Sequence, residues 1–130
     1  MDVRPLDEEL LSFIGASVPS VWALELLLLL RRRQDRTWTA QDLVGEMRAS
    51  APAVNDSLRT LEKAGLIRCG GEGQCAYAPA SPVLDAICDQ LEAAYKERPV
   101  AVVNAILKAP KGTLQTFADA FRIKGKGDPE

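Results

Sequence analysis

The side chains best placed for chemistry lie in residues 50–65, SAPAVNDSLRTLEKAG, and that chemistry is recognition of a polyanion. On a helix over this stretch Val54, Leu58 and Leu61 recur at i, i+4 and i+7, with Ala51 and Gly65 on the same side, so one stripe packs inward. Pro52, Asn55, Asp56, Arg59 and Lys63 fall on the opposite face. Arg59 and Lys63 offer cations to phosphates or guanine edges, and the Asn55 amide can pair with adenine. Ser50 suits the N-cap, Pro52 the first turn, where a missing N–H costs nothing, and Gly65 a left-handed stop. A charged face is also what any solvated amphipathic helix carries, so a bland reading stands beside the functional one.

Other chemistries find less support. The chain has no histidine, which removes the usual general base at neutral pH and any zinc set containing histidine. Its carboxylates fall on helix faces expected to be exposed, with no pairing suited to acid–base work. The expectation is a protein with no catalytic residues, no metal and no cofactor. Residues 70–74, GGEGQ, are rich in glycine but lack the lysine and the following helix of a phosphate-binding loop. Cys69 and Cys75 flank this loop and could face one another across a hairpin, about 5.5 Å apart, which permits a bridge. Cys88 could then complete a thiolate set. The alternative is three small side chains filling apolar space. An odd count of cysteines, three, argues against a disulfide scaffold.

At 130 residues and 47% hydrophobic content the chain suits one domain with a real core. Net charge is −2 and the isoelectric point about 5.2, not the basic balance of a typical nucleic-acid binder. Charge is uneven, however. Residues 31–68 hold eight cations and five anions, a net +3, whereas residues 1–30 hold one and five, a net −4. Screening confines electrostatics to roughly 8 Å at physiological salt, so the local excess matters more than the total. The apolar run at residues 26–30 is bounded by Glu25 and Arg31 and is far short of the roughly 20 residues of a membrane crossing. With an acidic start unlike a signal peptide, the expectation is a cytoplasmic protein without membrane contact.

The elements that must hold these residues follow in order. Residues 7–17 form a short amphipathic helix, and Ser20 caps a second, apolar on nearly all sides, running to about Gln34. Its end carries Arg31, Arg32, Arg33 and then Arg36, which suit either the negative helix terminus or a phosphate backbone. Thr37, Trp38 and Thr39 suit a small strand. Thr39 or Ala40 starts a helix with Leu43, Val44 and Met47 inward, and Asp42 can complete a capping box. Ala49 and Ser50 form the turn into the central helix. Two short strands around the glycine loop make a hairpin, with glycines at positive φ. Ser81 caps a helix over 82–98 with Val83, Leu84, Ile87, Leu91, Ala94 and Tyr95 inward. A shorter helix covers 100–108, a final one starts at Thr113, and 124–130 is a frayed tail. Trp22, Tyr95 and Phe117 could frame a ligand pocket or simply fill the core.

The segment 38–80, WTAQDLVGEMRASAPAVNDSLRTLEKAGLIRCGGEGQCAYAPA, resembles the bacterial winged helix-turn-helix transcriptional regulators, MarR-like in the broad sense. Val54, Leu58 and Leu61, followed by Gly65-Leu66-Ile67, carry the likeness. It implies a mainly α (α+β) fold: a winged helix-turn-helix core at 18–80 with a three-stranded wing sheet, an N-terminal helix at 1–17 and C-terminal helices at 82–123. It implies a regulator that binds double-stranded DNA, with Ser50, Asn55, Arg59 and Lys63 as contacts and Arg68 flanking the wing; the run Arg31, Arg32, Arg33 and Arg36, read from its position and charge, would add backbone contacts. A homodimer would read two half-sites about 34 Å apart, through the first or the C-terminal helices. Two alternatives stay open: a winged helix that binds protein and not DNA, and a regulator that senses redox state through Cys69 and Cys75.

Overall fold

Serine and threonine side chains write four of the helix starts. Ser20, Thr39, Ser50 and Ser81 each accept a hydrogen bond from the backbone N–H three residues on, at 3.1–3.2 Å, satisfying a donor that a bare helix end leaves orphaned. Thr39 and Asp42 form a reciprocal capping box, as their spacing predicts. The computed structural model describes residues 7–108. Its elements are α1 (Glu8–Ser17), α2 (Val21–Arg32), α3 (Ala40–Met47), α4 (Ala51–Lys63), β1 (Ile67–Cys69), β2 (Cys75–Tyr77), α5 (Pro82–Glu97) and α6 (Pro99–Lys108). The expected helix at 113, the tail and the outer part of the C-terminal region lie outside the described residues.

The chain is mainly helical, with a small two-stranded antiparallel sheet. α2 is central: Ala23, Leu24, Leu26, Leu27, Leu28 and Leu30 are all buried, and each such leucine contributes about 2 kcal/mol relative to exposure. α2 packs on α4 and β2, α3 on α4, and α4 on β1, while α1, α5 and α6 pack on one another. One continuous apolar core joins both groups. Among the described residues no single helix is long and apolar enough to cross a membrane.

α4 ends as its sequence predicts. Gly65 is left-handed at φ +80, its N–H bonds the Glu62 carbonyl at 3.0 Å and the Leu66 N–H bonds the Leu61 carbonyl at 3.1 Å, which together terminate the helix. A Cβ at Gly65 would also lie 3.3 Å from the Ala80 Cβ. The turn before α4 begins one residue earlier than expected, at Arg48, which is itself left-handed (φ 55, ψ 43).

Several expectations are corrected. Thr37-Trp38-Thr39 is not a strand, so the sheet has two strands and not three: only Trp38 bridges to Cys75, through two backbone hydrogen bonds of 2.9 and 2.7 Å. The α2 end and the Thr39 cap leave no room for a longer ladder. α2 stops at Arg32, not near Gln34. Ala51 is exposed, and Ser57 takes its place on the inner face of α4. Val83 is exposed at the start of α5, where Cys88 is buried instead. At the hairpin turn Gly73 has positive φ, but the other left-handed residue is Glu72 (φ 70, ψ 11) and not a glycine.

Candidate nucleic-acid interface

α4 presents its expected outer face. Val54, Ser57, Leu58 and Leu61 are buried, which fixes the rotation of the helix and leaves Asn55, Asp56, Arg59 and Lys63 exposed. Both terminal nitrogens of Arg59 donate to one Asp56 carboxylate oxygen, at 3.1 and 3.0 Å. The two side chains are 66% and 73% exposed, so the pair contributes little and yields readily to a stronger anion. Lys63 and Arg68 have no acidic partner among the described residues. The Ser50 hydroxyl oxygen is occupied by its cap to the Ala53 N–H, leaving only its proton to donate. Arg48, exposed at the turn, was not singled out by sequence; its place between two helices becomes evident only when the turn is seen to start there.

The arginine run divides. Arg31, 12% exposed, reaches α5, where it meets Asp89 at 2.9 Å, Asp85 at 3.9 Å and Glu92, and lies 5.4 Å from the centre of the Tyr77 ring. Burial alone would lower its pKa; the Tyr77 hydroxyl, Asp89 and Glu92 outweigh that and hold the guanidinium more firmly protonated. Arg32 pairs with Glu92 at 2.9 Å. The expectation that Arg31 contacts DNA is therefore corrected, because its guanidinium is largely covered and committed to α5; Arg32 leans on the same helix through Glu92 but is 55% exposed. Asp85, Asp89 and Glu92 recur at i, i+4 and i+7, a spacing that is visible in the sequence and marks an acidic stripe.

Arg33 and Arg36 turn the other way, toward Trp38. Their guanidinium carbons lie 5.5 and 3.9 Å from the centre of its ring, and the indole is 2% exposed beneath them. Each also meets an exposed carboxylate, Arg33 with Asp35 at 3.4 Å and Arg36 with Asp42 at 2.8 Å. The Thr39 backbone N–H, more than Arg36, holds the Asp42 carboxyl below the usual carboxylate range. The Trp38 indole N–H is buried without a hydrogen-bond partner. Trp38 ties this platform to the hairpin through Cys75, and Thr37 donates to Gln74 at 2.5 Å.

The hairpin is anchored to α4 as well, because the Glu62 carboxylate accepts from the Cys69 N–H at 3.2 Å. Sequence reading missed this role for Glu62. Cys69 and Cys75 are disulfide-bonded with their Cα atoms 4.0 Å apart, nearer than the 5.5 Å expected. Gly70 and Gln74 form the adjacent hydrogen-bonded pair, so the cysteines occupy a closer, non-hydrogen-bonded register. One bond is not a scaffold, but the alternative of three free cysteines filling apolar space is corrected for Cys69 and Cys75. Cys88 is free and buried; burial pushes its thiol up. Among the described residues no group of three or more Cys, Asp or Glu side chains is placed to hold a metal.

Trp22 lines a groove of about 300 Å³ with Glu25, Leu29, Arg32, Glu46 and Met47. Tyr95 approaches it only through a 2.7 Å hydrogen bond to Glu25, and Phe117 lies outside the described residues. The chain matches no protein-family model, no curated protein and no solved structure.

Proposed function

We propose that this chain is a sequence-specific DNA-binding regulator of winged helix-turn-helix type, acting as a homodimer on double-stranded DNA. The observation that carries the reading is the outer face of α4, where Asn55, Arg59 and Lys63 stand exposed on a helix whose other face is locked into the core. Its hydrogen-bonding and cationic groups match what the major groove displays. Support comes from the order around it: α3, a turn of three residues, α4, then a hairpin whose strand carries exposed Arg68. Arg33 and Arg36 extend the cationic surface beside the loop end of that hairpin, where Trp38 pairs with Cys75. Exposed Leu11, Val100 and Leu107 on α1 and α6 supply apolar surface for a dimer contact.

Selection of bound fragments from random duplex tests the reading, with Arg59→Ala and Lys63→Ala as controls. Enrichment of a common sequence, weakened by both substitutions, is expected, together with a steep fall in affinity as salt rises. A second reading, a winged helix that binds protein, is favoured by Asp56 against Arg59 and by Glu72 at the hairpin tip. No enrichment, or enrichment indifferent to both substitutions, selects that reading.

A further inference from the structure

The disulfide sits in a hairpin that the rest of the molecule already holds. Small domains use such bonds when their apolar core is insufficient, yet here a continuous core runs from α1 to α6 and already seats the hairpin through Leu66 and Ile67. The strands are also held in register by backbone bonds, Gly70 N–H to Gln74 at 2.8 Å and Ala78 N–H to Leu66 at 3.0 Å. With the bond opened, the two thiols would therefore stay opposite one another, ready to close again. Their surroundings differ: Cys75 is 2% exposed, whereas Cys69 is only partly covered, so a reagent reaches the bond from the Cys69 side.

What the bond joins gives it a consequence. On one strand the Cys69 N–H is held by Glu62 of α4; on the other, Cys75 exchanges two backbone bonds with Trp38, the ring that carries Arg33 and Arg36. We infer that Cys69 and Cys75 form a reversible thiol–disulfide site whose state sets how firmly the Trp38 platform and its two arginines are held against α4, the register itself being kept in both states. The oxidant class is a peroxide. It oxidises the Cys69 thiol to a sulfenic acid and leaves as water; the Cys75 sulfur then attacks Cys69 and expels hydroxide, which takes the Cys75 proton and departs as a second water. In reverse, a small dithiol or glutathione attacks the Cys69 sulfur and frees the Cys75 thiol; a second reductant thiol then resolves the mixed disulfide, so the reductant leaves oxidised. The consequence for duplex binding rests on the function proposed above.

The full chain is equilibrated in glutathione buffers of graded reduced-to-oxidised ratio, then alkylated, and each cysteine is read by mass spectrometry, with buried Cys88 as internal control. Half-conversion of Cys69 and Cys75 within the graded range is expected, with amide exchange at Trp38 and Cys75 speeding at least tenfold on reduction and duplex affinity changing at least threefold. A bond that stays closed under excess reduced glutathione is a permanent staple and overturns the inference. So do unchanged amide exchange at Trp38 in the reduced chain, or duplex binding that is present but equal in both states. If the bond converts and the Trp38 amide responds while neither form binds any duplex, the reading of function fails and the redox site stands. Cys69→Ser with Cys75→Ala should reproduce the reduced form and ignore peroxide.

Discussion

Four arginines within six positions end in two different environments. Arg31 and Arg32 lie against α5, where Arg31 is nearly covered and shares Glu92 with its neighbour. Arg33 and Arg36 lie across Trp38, about half exposed, with carboxylates that are themselves in water. The end of the helix explains the division: Arg31 and Arg32 still belong to α2 and reach α5, whereas Arg33 leaves helical geometry at φ −112, ψ 63 and the turn that follows brings it and Arg36 across Trp38, so a cationic run is not one surface. The difference teaches that charge counted along a sequence overstates charge offered to a partner. Buried or shared, an arginine orients elements; exposed against a solvated acid, it is available to a phosphate.

Arg31→Ala attacks the comparison where it is strongest. It leaves Asp85 and Asp89 without their cation, leaves Glu92 with Arg32 alone, and empties the junction of α2, β2 and α5. Because two of the carboxylates are well exposed, the loss should be less than that of a fully buried pair, about 2 kcal/mol in urea denaturation. Duplex affinity of the folded variant should be unchanged; a selective loss of affinity would place Arg31 on the interface after all. Arg33→Gln with Arg36→Gln should do the reverse. Stability should fall by only about 1 kcal/mol, from two lost cation–π contacts, while duplex affinity drops roughly tenfold and its salt slope decreases by about two. Equal salt slopes in this variant and the parent would remove both residues from the contact.

Much of this arrangement was legible. Ser20, Thr39, Ser50, Ser81 and Gly65 mark helix ends because capping depends on local chain chemistry, which a sequence states directly. The rotation of α4 follows from Val54, Leu58 and Leu61 for the same reason. What was not legible depends on partners distant in the chain. Arg31 and Glu92 are 61 positions apart, and no local pattern couples them. Trp38 was legible as β-forming but not as a platform, since that role requires the hairpin to return Cys75 to it. The cysteine pairing was legible as a possibility of register; which type of facing pair it would be depends on where the ladder begins.

Asp42 sharpens the comparison by pH. Its folded-state pKa is depressed, first by the Thr39 N–H and then by Arg36, so its contribution is present above the unfolded carboxylate's value near 4 and is lost as pH falls through the lower folded value. Denaturation followed from pH 6 to pH 2 should show this loss in the parent and not in Asp42→Asn. Arg36 should become freer over the same window. If the two profiles are parallel, the cap does not titrate as the geometry requires.

The smallest effect belongs to the hairpin tip. Glu72 occupies a left-handed conformation, which for a residue with a Cβ costs about 1 kcal/mol relative to glycine, and it places an anion where the proposed function would prefer none. Glu72→Gln removes the charge and keeps the strain; Glu72→Gly removes both. Both should raise duplex affinity by no more than about threefold at low salt, an effect erased as screening shortens the reach of the charge. Only Glu72→Gly should also stabilise the chain, by about 0.5 kcal/mol in urea, since the freedom the unfolded chain gains offsets part of the relief. A gain in affinity from Glu72→Gly alone would mean that the shape of the tip, and not its charge, limits approach to the duplex.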